Sequence, residues 1–82
     1  MNDMNKRFSV KLCSDFDYED MVVDISIDNN TIAILNMDKG VENMEIKFIP
    51  VGDDLLEFNV PLNDFIDVIL FAKKCLAGND KT

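Results

Sequence analysis

Histidine is absent from the 82 residues, which removes at once the commonest general base and the commonest metal ligand. Cysteine is scarce. Cys13 and Cys75 stand at opposite ends of the chain, so no C-x-x-C redox or zinc motif exists. Both read as small apolar residues in a reducing compartment, with one disulfide from the first strand to the last helix as the alternative. Bases are few: eight oppose sixteen acids, for a net charge of −8. A free-standing nucleic-acid binder needs positive charge to displace counterions from phosphates, and an anionic membrane surface repels the chain for the same reason. The longest apolar run, Val68 to Ala72, is far short of the ~20 residues of a membrane span. No basic segment with an apolar stretch behind it opens the sequence, which predicts a cytoplasmic protein. G-x-G-x-x-G, P-loop, G-x-S-x-G and H-E-x-x-H motifs are all missing. These absences predict a protein that is not an enzyme and uses neither cofactor nor metal.

What is present is an ordinary globular balance, 48% hydrophobic and 29% charged, in a length that suits one domain. A polar leader over residues 1–6 and a tail over 79–82 flank a single domain over 7–78. Phe8, Val10 and Leu12 alternate with polar neighbours, the period-two mark of a half-buried strand. Met21 to Asp28 reads as a second strand, with Met21, Val23, Ile25 and Ile27 turned inward. Asn29-Asn30 tolerate the positive φ of a type I′ turn, which predicts a hairpin to a third strand over Thr31 to Met37. That strand is almost continuously apolar, as a central strand covered on both sides would be. Asp38-Lys39-Gly40 is the next turn. Met44, Ile46 and Phe48 mark a fourth strand, and Leu55 to Val60 a short fifth one closed by Pro61.

After Pro61 the period changes. Leu62, Phe65, Ile66, Ile69, Ala72 and Leu76 recur at three- and four-residue steps, which lays them along one face of a helix of about fifteen residues. Asn63 or Asp64 is placed to cap its start, and Gly78 to stop it. Val68 and Phe71 fall outside this stripe, so the helix is either buried on more than one side or forms a homodimer surface. The expected fold class is α+β: an antiparallel four- to five-stranded meander with one C-terminal helix packed on one face.

Charge is distributed unevenly. Between Lys11 and Lys39 no base occurs, yet Asp15, Asp17, Glu19, Asp20, Asp24, Asp28 and Asp38 all lie there. Such a run is either a solvated surface or one strongly negative face for a partner. Phe16 and Tyr18 are interleaved with the acids, as aromatic anchors of an interface are. Tyr18 is the expected anchor, with coverage of a core edge as its other reading. The segment lacks the glycine and terminal glutamate of an EF-hand loop. Paired acids at Asp53-Asp54 and at Asp64 with Asp67 have no helper base beside them.

These pieces carry a family resemblance. Ser-Asp-x-Asp-Tyr-Glu-Asp-Met-Val at 14 to 22 is followed by Ile-Ala-Ile-Leu-Asn-Met-Asp-Lys-Gly at 32 to 40. Then come Glu-Asn-Met-Glu-Ile-Lys-Phe at 42 to 48 and Val-Pro-Leu-Asn-Asp-Phe-Ile-Asp-Val-Ile-Leu-Phe-Ala-Lys-Lys-Cys-Leu at 60 to 76. Over Phe8 to Leu76 the chain resembles the small acidic immunity proteins of bacterial polymorphic toxins, including those of contact-dependent growth inhibition systems. It departs from them at Ile49-Pro50-Val51-Gly52, where glycine-rich residues are expected, and at Asp64-Phe65, where tryptophan or leucine is. The resemblance implies a non-catalytic inhibitor that occludes the active site of a cognate toxin C-terminal domain, often a basic nuclease. The expected contact set, read from the acidic run and its two aromatics, is Asp15, Phe16, Asp17, Tyr18, Glu19, Asp20, Asp24, Asp28 and Asp38, with no direct contact to nucleic acid or membrane. Two alternatives share the composition: a phage-type acidic nucleic-acid mimic of the anti-restriction or anti-CRISPR kind, and a small adaptor dimerising through its helix.

Overall fold

Among residues 6–49 and 59–78, which a computed structural model describes, the regular structure is four strands, one long helix and a short 3₁₀ turn over Val41–Asn43. The strands are β1 (Phe8–Cys13), β2 (Val22–Ile27), β3 (Asn30–Asn36) and β4 (Glu45–Phe48), and the helix is α1 (Leu62–Ala77). The strands pair antiparallel in sequence order, β1-β2-β3-β4, and α1 packs across β1, β2 and β3. This is the expected α+β meander with its C-terminal helix on one face. Most of the expected fifth strand, together with residues 1–5 and 79–82, lies outside the described residues; Asn59 and Val60 are not in a strand.

Alternation decides which side chains meet the helix. Phe8 sits opposite Ile27, Val10 opposite Ile25 and Leu12 opposite Val23. Ile25 in turn faces Ala33, and Val23 faces Leu35. Phe8, Val23, Ile25, Ile27, Ala33, Leu35 and Met37 join Val68, Ala72 and Leu76 of α1 in one buried cluster. The apolar run of β3 is accommodated by a bulge. Ser26 pairs with Thr31 and Ile25 with Ala33, which leaves Ile32 as the extra residue. Ile32 thereby reaches the margin of the core, while the Ser26 and Thr31 hydroxyls meet at 3.3 Å. The edge strand β4 is exposed throughout.

Two local expectations shift. The β2–β3 turn is centred on Asp28-Asn29, at φ 51° and 69°, one residue earlier than Asn29-Asn30. Both residue types tolerate the left-handed region, so composition cannot choose between the registers. The core chooses: with Asp28-Asn29 as the turn, Ile27 pairs with Asn30 and lies inside. Asn29→Gly relieves the cost of a left-handed asparagine and should stabilise the domain by up to about 1 kcal/mol, read as a higher melting temperature. The other turn keeps its place, with Gly40 at φ 102° and ψ 156°, a region open to little but glycine.

The helix differs more. It starts on Pro61 with no side-chain cap, so neither Asn63 nor Asp64 caps it, and Gly78 ends it in the right-handed conformation. Its inner stripe is Val68, Ala72 and Leu76, flanked by Phe65, Ile69 and Cys75. Leu62 and Ile66, expected inside, are exposed at 70% and 46%. Apolar residues cover so much of the helix circumference that several stripes satisfy the spacing, and the one buried against the sheet runs through Ala72.

Candidate functional site

The acidic segment forms the β1–β2 loop, and its main-chain N–H groups are held by the Asp15 and Asp38 carboxylates and by one carbonyl. Tyr18 N–H donates to the Asp15 carbonyl at 3.1 Å, and Asp17 N–H donates to Asp15 Oδ1 at 2.9 Å, an Asx turn that presents the residue between them. That residue is Phe16, which is fully exposed at 108%. Antiparallel order places the β1–β2 loop and the segment after β3 at the same end of the sheet. There the Asp38 carboxylate accepts hydrogen bonds from Glu19 N–H and Asp20 N–H, each at 3.3 Å. Asp38 is itself placed by Asn36, whose Oδ1 accepts from Asp38 N–H at 3.3 Å. Asn36 is the buried polar residue of the described core, 7% exposed. A chain of contacts thus runs from a buried amide through Asp38 to the acidic loop. Asp38 is a fastening as well as a charge, and Asn36 was not legible as part of the site because it looks like any residue ending a strand.

The seven acids do not share one face. Asp15, Asp17, Glu19, Asp20 and Asp38 gather at one end of the sheet. Asp28 lies at the other, beyond the length of β2, about 17 Å of extended chain. It is also paired: Arg7 donates to its two oxygens at 3.0 and 2.7 Å. The guanidinium holds the Asp28 carboxyl below its ordinary range by hydrogen bonding and then by charge. Arg7 also donates to the Asn59 carbonyl at 2.8 Å, tying the hairpin to the approach of α1. Asp24 lies mid-strand opposite Lys11, on the sheet face away from the helix. The expectation of a single negative face therefore contracts to five acids around Phe16. Tyr18, expected as the anchor, is half-buried.

The cysteines are both free and half-buried. Cys75 packs against the core, whereas Cys13 falls out of step with Phe8 and Val10, which reach the core, and so points to the other sheet face; Leu12, expected half-buried, is exposed. The sheet separates them. Burial, with the neighbouring Asp24 carboxylate, pushes the Cys13 thiol above its ordinary pKa, which keeps it protonated and poorly nucleophilic. Among the described residues no group of three acids or cysteines is placed to hold a metal ion. Nor is any described helix long and apolar enough to cross a membrane.

Comparisons with protein families, with characterised proteins and with solved structures find no match to this chain.

Proposed function

We propose that the protein is an immunity protein, which binds a basic toxin domain through the acidic end of its sheet and covers that domain's active site. The observation that carries this reading is the conjunction at one end of the fold. A fully exposed phenylalanine stands on a hydrogen-bonded turn amid five acids. A solvated surface has no use for an exposed aromatic ring, whereas a protein interface does. A nuclease that grips phosphates with Lys and Arg offers the complementary charge and a groove the loop can enter. A standard interface needs about 800 Å² from each partner, and the protein exposes 5999 Å² in all. No part of this inhibition requires catalysis by the chain, and the cytoplasm is where such a toxin would act.

The reading expects a toxin-domain gene beside this one, and co-expression with that neighbour, followed by pull-down and growth rescue, tests it. Rescue with a stable complex supports it; no complex with that neighbour overturns it. The association rate should fall at least tenfold between about 0.05 M and 0.5 M salt, because steering by exposed charge is screened. A rate constant indifferent to salt would remove the electrostatic part of the reading.

A further inference from the structure

The outer face of α1 is apolar where a helix packed on one side has no structural need to be. Leu70 is 56% exposed and Phe71 46%, with Ile66 and Leu62 continuing the face toward the N-terminus. Leu70, Phe71 and Ala77 line a shallow concavity of about 550 Å³, together with Asp67, Lys73 and Lys74. Among the described residues the ion pairs are Arg7–Asp28 and Lys39–Glu45, so Asp67 and Lys74 enter none of them.

We infer that this face pairs with a second copy of the chain through an antiparallel, two-fold helix contact centred between Leu70 and Phe71. Charge chooses the occupant. With a net charge of −8, two copies repel over most orientations. Here the charged groups are two lysines and one aspartate, and their spacing is self-complementary. Asp67 and Lys74 are seven residues apart, two turns of helix and about 10 Å along one line. A two-fold axis midway between them sets Asp67 of each copy against Lys74 of the other, on both sides of the apolar centre. The same arrangement runs the two helix dipoles antiparallel. Leu70 and Phe71 of each copy then fill the partner's concavity. A parallel pairing would instead oppose like charges along this line. The inference stands apart from the toxin reading, since the acidic end of the sheet takes no part in it.

One helix pair is smaller than a standard interface, so a weak dimer is expected, with a dissociation constant of order 10 to 100 µM. Sedimentation equilibrium of the isolated chain over about 5 µM to 1 mM brackets that range and should show the mass rising from 9.3 kDa toward that of the dimer. Leu70→Asp should give a monomer at every concentration with an unchanged circular dichroism spectrum. Asp67→Lys and Lys74→Asp should each weaken dimerisation roughly tenfold, since each single swap puts like charges together on both sides of the axis. The double swap should restore affinity to within about threefold, because the pairs are re-formed with reversed sign. A chain that stays monomeric up to 1 mM overturns the inference, as does a Leu70→Asp variant that still dimerises. So does a double swap no better than either single change. A monomer destabilised by Leu70→Asp would also overturn it, because the face would then be covered within the chain.

Discussion

Val68→Asp should leave the protein without a cooperative thermal transition at any temperature. The Val68 side chain is fully buried, at 0% exposure, between Ala72 of its own helix and the sheet cluster. The substitution removes about 1.5 to 3 kcal/mol of apolar burial. It also places a carboxylate where no described base or donor is available to it, at a further cost of several kcal/mol. An 82-residue domain has roughly 4 to 12 kcal/mol of total stability, so the loss takes most or all of it. The control is two residues away. Leu70→Asp puts the same charge on the outer face and should leave the melting temperature of the monomer within a few degrees of the parent. Loss of folding by both variants would mean that α1 is buried on two sides.

The second large effect is on binding alone. Phe16→Ala should weaken the complex with the cognate toxin domain by about thirtyfold or more, corresponding to the ~2 kcal/mol typical of a truncated aromatic anchor. Its ring touches solvent and the turn beneath it is made by Asp15 and Tyr18, so the melting temperature should not move. Tyr18→Ala should behave differently, lowering stability together with affinity because that side chain is half-buried. Calorimetric titration and thermal melts on the same two proteins separate the roles. If Phe16→Ala binds within threefold of the parent, the contact centre is not at this end of the sheet.

Comparison of these two sites shows what a single sequence discloses. Val22 is fully buried out of step with Val23, but for Phe8, Val10, Ile25 and Ile27 strand alternation was readable because each stands between polar neighbours. Position along α1 was not, because Leu62, Ile66 and Leu70 repeat with the same spacing as Val68, Ala72 and Leu76. Which stripe turns inward depends on the sheet the helix meets, information that lies far away in the chain. The hairpin register slipped for a similar reason, since Asp28, Asn29 and Asn30 are near equivalents at positive φ. The acidic run was legible as composition, but strand length divided it: six residues of β2 carry Asp28 away to Arg7. Tyr18 was the expected anchor, but the turn exposes Phe16 and leaves Tyr18 half-buried.

The fastening of the acidic loop has a consequence for how such a surface can change. Its main chain is fixed by Asp15, Asn36 and Asp38, while the exposed side chains at 16, 17, 19 and 20 carry none of that task. Substitution at those four places leaves the backbone display intact, so a new recognition surface is reachable by drift without passing through unfolded intermediates. A chain with few residues to spare for a core thereby keeps its foldability and its choice of partner on separate sets of positions. The same four positions form a ready-made library for selecting binders to other basic proteins.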